Sequence, residues 1–225
     1  MILARWVGDA SHERCGLQEK HLVMPKADNS VPDHDLNALL TEIRGCRACE
    51  GDIPEPRPVI QAHQSARVRI IGQAPGTRVH ASGKPFTDPS GDRLRDWMGV
   101  NEATFYDPTR IAITPMAFCF PGLDEKGGDK PPQKRCAPLW QSALNSQLQQ
   151  VELTLLVGMY AQKHVLGPQA KKTLTQSVMA WREYESDYIP LPHPSWRNNS
   201  WLKKNPWFAE DMLPMLRCRM RKLLT

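Results

Sequence analysis

Four of the six cysteines in this chain fall into two pairs. Cys46 and Cys49 stand in GCRAC, while Cys119 and Cys136 bracket the sixteen residues FPGLDEKGGDKPPQKR. A gap of two residues lets one turn of backbone aim two thiolates at a single metal centre. The longer gap is rich in Gly, Pro and Lys and reads as a loop that folds back. Four thiolates from four chain positions suit a tetrahedral zinc ion or a cubane iron–sulfur cluster. Two more stretches could touch a ligand. GQAPG at 72–76 offers backbone amides with little side chain in the way, and HPSWRN at 193–198 holds a histidine between two prolines. A lone histidine is more often structural, but one flanked by prolines at a strand end has little room to be core. Cys15 and Cys218 lie outside the pattern and read as ordinary thiols.

Something must hold these groups in place, and the apolar pattern says what. From Asp35 onward, Leu36, Leu39, Leu40 and Ile43 recur at helical spacing and stop at Gly45, just before the first cysteine pair. PEPRPVIQ is too rich in proline for a helix and reads as an extended loop. RVRII (67–71) reads as a buried strand, and SGDRLRDWMGV (90–100) as a helix capped by Ser90 with Leu94, Trp97 and Met98 inward. RIAIT (110–114) is a second strand, residues 132–150 look helical, and LTLLVG (153–158) is the clearest buried strand. A helix near Met159, a fourth strand over Tyr188–Leu191 and a final helix entered through Pro206 complete the order. Strands alternating with helices predict a parallel sheet covered on both faces. In such sheets ligands sit beyond the carboxyl ends of the strands. GQAPG, TPMAFC, VGMYAQ and LPHPSWRN all fall at strand ends and are therefore expected to converge.

Composition sets the outer bounds. At 225 residues, 40% apolar and 24% charged, the chain suits one globular core. The expected division is a loosely attached N-terminal arm over 1–33 and a domain over 34–225. No run of eighteen apolar residues predicts a membrane span, and no signal peptide is evident, so a cytoplasmic protein is expected. There, paired cysteines are better read as metal ligands than as disulfides. A net charge of +5 permits an anionic partner without demanding one. The positive charge gathers late in the chain, where Arg197, Lys203 and Lys204 flank HPSWRN.

The ordered set of GQAPG, GKPF (83–86), the two cysteine pairs and HPS (193–195) resembles the uracil-DNA glycosylase superfamily. A Cys-x2-Cys before the first strand, with two more cysteines around a sixteen-residue gap after the second, is similar to its iron–sulfur (family 4/5-like) branch. The likeness spans roughly residues 36 to 216. It implies a three-layer α/β/α sandwich with a central four-stranded parallel sheet, and a [4Fe–4S] cluster of structural role on Cys46, Cys49, Cys119 and Cys136, with zinc as the alternative. DNA is the implied partner, met by a monomer with no obligate protein partner. Gly72, Ala74, Pro75 and Gly76 would form the loop that approaches the substrate. Phe86 would stack on a flipped base, and His193 would hydrogen-bond its carbonyl and stabilise the departing anion. Ser195, Trp196, Arg197 and Asn198 would lie on the loop that enters the minor groove, Ser195 on phosphate and Trp196 or Arg197 in the vacated stack.

Two positions depart from that branch. An acid is usual in its first motif, as in GEAPG, where this chain has Gln73. Glutamine can orient water or bond a base but cannot take a proton. Asp88 in PFTDPSGD, similar to the aspartate of an FTGD-type segment, is the expected replacement, with Asp92 in reserve. The asparagine that reads the uracil edge normally follows the second strand, as in TNVVKC, and Pro115 occupies that place here. Proline brings no side-chain donor, which points to a pocket for a different, modified base. The expected function is a monofunctional DNA glycosylase acting on uracil or another altered pyrimidine. The alternatives are a glycosylase for a bulky modified cytosine or hypoxanthine, and a non-catalytic metal-bearing DNA-binding module.

Overall fold

The computed structural model describes residues 35–225. The expected N-terminal arm and Cys15 lie outside the described residues.

Helix α1 (Leu36–Gly45) starts at Asp35, whose side chain accepts from the Asn37 N–H, and buries Leu36, Leu39, Leu40 and Ile43. Strand β1 (Val68–Ile71) follows the extended proline-rich segment. Two short helices and a longer one come next: α2 (Thr77–Ser82), α3 (Pro89–Met98) and α4 (Glu102–Phe105). Strand β2 (Ile111–Ile113), α5 (Cys136–Gln147), β3 (Leu153–Val157), α6 (Met159–Leu166), α7 (Leu174–Met179) and β4 (Tyr188–Leu191) continue the alternation. The chain closes with α8 (Asn199–Lys204), a π-helical turn over Phe208–Met212, and α9 (Leu213–Leu224).

All strand pairings are parallel, in the order β2-β1-β3-β4. Successive strand residues point to opposite faces, and both faces are apolar. Val68, Ile70, Leu153, Leu155, Ile189 and Leu191 meet Leu94, Trp97 and Met98 of α3 and Leu213, Leu216 and Met220 of α9. Ala112 on the other face packs with α1 and α5, and Ile71 and Leu156 pack with Ala161 of α6. The result is the three-layer α/β/α arrangement that the alternating pattern predicts.

Four local expectations are corrected. Asp88, rather than Ser90, caps α3; its side chain accepts from the Gly91 N–H, and Ser90 is buried inside the first turn. The helix expected over 132–150 begins only at Cys136, because Pro131 and Pro132 hold the preceding backbone extended. The last helical run contains a π-helical turn before α9. Pro214, at the start of α9, lacks an N–H and its ring crowds the carbonyl four residues back, which favours a wider turn. Cys218 is disulfide-bonded, which corrects its reading as an ordinary thiol.

The sheet order places the topological switch between β1 and β3, whose partners run off in opposite directions. A crevice beyond their carboxyl ends follows. Gly72 begins directly after β1, Thr114 after β2, Gly158 after β3 and Pro192 after β4.

Candidate active site and cysteine cavity

One cleft, open to solvent, lies at those strand ends. Gly72, Gln73, Ala74, Pro75 and Gly76 line it, as do Phe86, Asp88, Pro115 and His193. Asp129 lines it as well. Asp92 does not: its Oδ1 pairs with Arg95 at 2.5 Å on the exposed face of α3.

The GQAPG loop is held by its own carbonyls. Gly72 O accepts from Met116 N at 2.9 Å, and Gln73 O accepts from Ala117 N at 3.0 Å, so the segment after β2 buttresses it. Phe86 closes over the start of this loop. A Cβ on Gly72 would stand 3.5 Å from Phe86 Cζ, so the ring lies against bare backbone.

Phe86 has φ +53, the only positive φ of a non-glycine among the described residues. Such a conformation costs on the order of 1–3 kcal/mol and persists only when neighbours impose it. Here they do. The Tyr106 hydroxyl donates to Phe86 O at 3.0 Å, and Phe105 meets the ring edge-on at 6.1 Å. At Gly91, a Cβ would stand 1.8 Å from Phe86 O, so only glycine lets α3 approach this closely.

His193 follows β4 by two residues. Leu191 O, at the strand's end, accepts from Gly158 N and from the buried Gln162 Nε2, each at 2.9 Å. Nδ1 of His193 accepts from the Ser195 backbone N–H at 3.2 Å. A backbone amide can only donate, so the neutral ring carries its proton on Nε2. Burial lowers the His193 pKa; Asp88 and Asp129 pull it upward and Arg197 lowers it further. The net lowering favours the neutral ring, a donor through Nε2.

Beyond His193 the chain turns through a short 3₁₀ segment, Trp196–Asn198. Trp196 is 72% exposed, and the Arg197 guanidinium lies 5.6 Å from its ring centre. Ser195 O accepts from Arg93 at 3.1 Å. Asn198 spends its side-chain amide inside the loop, donating to His193 O at 2.7 Å. Of the four residues expected to meet DNA, Trp196 and Arg197 are the exposed pair.

Pro115 sits on the cleft wall with its carbonyl accepting from Gln141 Nε2 at 2.9 Å. Gln141 also takes a hydrogen bond from Arg69 at 2.6 Å. Arg69 lies on β1, 6% exposed, and also donates to Thr114 Oγ1 at 2.7 Å and to Asn145 Oδ1. Burial brings its pKa down to about 10, which still leaves a cation at neutral pH. That cation fixes the backbone after β2 through Thr114 and Gln141.

A second cavity gathers all four cysteines of the two pairs. Cys46 follows the last residue of α1, Cys49 lies in the next turn, Cys119 follows β2, and Cys136 is the first residue of α5. Arg135 ties the halves together, donating to Ala48 O at 2.8 Å and pairing with Asp52 at 2.7 Å. Burial pushes the Cys136 thiol up to about 12 and Cys119 to about 11, and it raises Cys49 as well. The backbone at Phe118 and Arg57 partly opposes this rise at Cys136 and Cys119 respectively.

With this geometry in hand, the comparison with known families is decisive for the fold. The family model for the uracil DNA glycosylase superfamily matches residues 60–217, more than half of the chain. This chain belongs to the uracil DNA glycosylase superfamily. Members of the superfamily are DNA N-glycosylases, and DNA is what they act on. Cys46 and Cys49 lie before the matched segment, while the cleft residues from Gly72 to His193 lie inside it. Among the described residues, no helix of this glycosylase-family chain is long and apolar enough to cross a membrane.

Asp129 is the cleft residue that the motifs did not single out. It stands in the glycine-rich stretch between the third and fourth cysteines, read from sequence only as connecting loop. An acid directly after GG, in a segment that starts beyond a strand's carboxyl end, was the available signal.

Proposed function

We propose that this chain is a monofunctional DNA glycosylase that takes an altered base, uracil or another modified pyrimidine, out of the DNA stack and hydrolyses its N-glycosidic bond. One observation carries the reading. A neutral histidine with its proton on Nε2, an aromatic ring held in a strained backbone, and an open glycine loop share a single cleft. Phe86 offers a face for stacking, worth about 1–3 kcal/mol per base. His193 offers a hydrogen bond where the base anion develops, and such preorganised donors stabilise the transition state rather than the ground state. Among the described residues, no lysine lines the cleft.

Hydrolysis also needs a water held against the sugar, a task for a carboxylate. The cleft contains two, Asp88 and Asp129, and either suffices on charge alone. Trp196 and Arg197, exposed beside His193, would fill the gap that a flipped base leaves.

In the same proposal, Cys46, Cys49, Cys119 and Cys136 hold a [4Fe–4S] cluster. Several observations support a fit. All four line one cavity, yet among the described residues no three His, Cys, Asp or Glu side chains gather closely enough to share one metal ion. Four thiol donors around one cavity suit a cubane iron–sulfur cluster, with zinc as the alternative. The raised thiol pKa values say that this cavity does not stabilise bare thiolates, so a positively charged metal core would be what deprotonates them. Trp140 lines the cavity, and its indole N–H is buried without an acceptor. Bound there, the cluster would supply a covalent tie between α1, the loop after β2 and α5.

A second reading has an observation of its own. Pro115 brings no side-chain donor, and its carbonyl already accepts from Gln141. A wall of that kind favours a bulky modified cytosine or hypoxanthine over uracil. Both readings are tested with oligonucleotides bearing uracil, hypoxanthine, xanthine or 5-substituted cytosines, followed by alkaline strand scission. Breaks at one altered base establish the glycosylase and name the base. Intact strands across the panel, from protein with four iron atoms per chain, would leave a DNA-binding module as the better account.

A further inference from the structure

Position 73 carries glutamine, so the carboxylate that serves the water must come from elsewhere in the cleft. Most nearby acids are already committed. Asp92 is bound to Arg95 outside the cleft. Asp124 accepts from the Lys126 and Gly128 amides at 2.9 and 2.8 Å. Asp88 reaches the cleft, but its Oδ1 accepts from the Gly91 N–H at 3.2 Å as the cap of α3. Asp129 differs from all three. It lines the cleft and makes no side-chain hydrogen bond or ion pair among the described residues.

Its position is built rather than incidental. Residues 122–130 form a tight hairpin: Asp124 N donates to Gly128 O at 2.7 Å and Lys130 N to Gly122 O at 3.0 Å. Leu123 and Asp129 pair across it as an antiparallel bridge. The two committed oxygen contacts of Asp124 stiffen the tip, where Gly127 takes φ +73. The hairpin thereby sets the Asp129 carboxylate over the first motif. Oδ2 stands 3.4 Å from where a Cβ on Gly76 would be.

We propose that Asp129 is the carboxylate that orients and deprotonates the hydrolytic water, with Asp88 kept for the helix cap; this rests on the glycosylase reading above. Depth in the cleft argues for it. The buried or half-buried lining residues Gly72, Phe86, Ile113 and Pro115 suit a flat base, which leaves the sugar at the mouth. The attacking water belongs beside the sugar, and exposed Asp129 is the carboxylate at that level. Burial at the rim raises its pKa, Arg197 and His193 oppose that, and Asp88 and Asp124 add to it. A raised carboxylate pKa makes a stronger base.

The step balances. The bond from sugar C1′ to the base nitrogen breaks, and its electron pair leaves with the base, where the His193 Nε2–H bonds the developing anion. Water oxygen forms the new bond to C1′, and its proton passes to the Asp129 carboxylate. That proton then returns to the departing base or to solvent, leaving an abasic site and a free base.

The test uses the lesion that the full-length, cluster-bearing wild type cleaves best, under single turnover. Asp129→Asn is expected to slow cleavage by about 100-fold or more. Its affinity for a 2′-fluoro, non-hydrolysable version of the same oligonucleotide should stay within about threefold, and its Tm should not fall. Asp88→Asn, which keeps a good cap, should lose distinctly less rate than Asp129→Asn. Asp129→Asn cleaving at nearly the wild-type rate overturns the assignment, as does a loss of rate matched by losses of binding and melting temperature. A larger loss in Asp88→Asn than in Asp129→Asn overturns it in favour of Asp88. A wild type that cleaves nothing in the panel overturns the glycosylase reading and this assignment together.

Discussion

His193 illustrates how a residue's neighbours decide its chemistry. The Ser195 amide fixes the tautomer, and burial outweighs two nearby carboxylates to lower the pKa. His193→Asn keeps a donor of similar reach but gives up the fixed ring geometry. A fall in single-turnover rate of about 100-fold is expected, by analogy with loss of one oxyanion donor. Linkage gives an independent check. The folded-state pKa lies below the ordinary 6.5, so below that pH the unfolded chain binds more protons than the folded one. Stability from this group is complete above pH about 6.5 and is lost as pH falls through the window down to the lowered value. Urea midpoints measured across that range should decline in wild type, and the difference from His193→Asn should flatten above it. At the same scale lies what the sequence concealed. That His193, Phe86 and the GQAPG loop share the cleft was legible because each stands in a short motif, His193 and the loop at strand ends. Asp129 was not, since its role depends on a hairpin folding back over a loop some fifty residues earlier. Nor did Asp88 announce itself as a cap, because Ser90 two residues on looked equally able.

Among the elements, the strands were the most legible. VRII, IAI, LTLLV and YIPL are nearly continuous apolar runs, and burial on both faces demands that pattern. The short helices α2, α4 and α7 went unread, since four to six residues span too little for a 3.6-residue period to show. The π-helical turn was equally hidden, because its cause is one proline whose effect falls upstream. The joint between α3 and the segment before it is where packing meets function. Gly91 lies against Phe86 O so closely that Gly91→Ala cannot be accommodated without moving backbone. The expected cost is about 1–3 kcal/mol from overpacking, read as a lower urea midpoint. Base stacking on Phe86 should be lost with it. Asp88→Ala, by contrast, removes only the cap, at about 1 kcal/mol, and should leave Phe86 where it is. Tryptophan fluorescence and binding to the non-hydrolysable oligonucleotide distinguish the two: both variants melt earlier, but only Gly91→Ala loses affinity for the flipped base.

Across the whole molecule, the two cavities are joined by one stretch of chain. The segment that begins at Cys119 and ends at Cys136 carries the hairpin, and the hairpin carries Asp129 to the cleft. Its anchorage among described residues includes the buried Phe120, 5.5 Å from the His80 ring, Gly122 against Pro54, and Arg135 on Asp52 and Ala48. An exposed pair such as Arg135–Asp52 is worth only about 0–1 kcal/mol. Ligation of both ends of the segment would add a strong further restraint on where Asp129 sits. The cysteine pairs could be read from their spacing, whereas this dependence could not, because it arises from where the intervening loop folds. Cys136→Ser tests it. The variant should lose visible absorbance and iron content and melt earlier, and its cleavage rate should fall further than its affinity for the non-hydrolysable oligonucleotide. A double-mutant cycle sharpens the outcome. If the cluster acts on catalysis by holding the hairpin, Asp129→Asn added to Cys136→Ser should slow cleavage much less than it does in wild type. Full additivity of the two losses would instead separate the cysteine cavity from the chemistry and leave it a support for α1 and α5 alone.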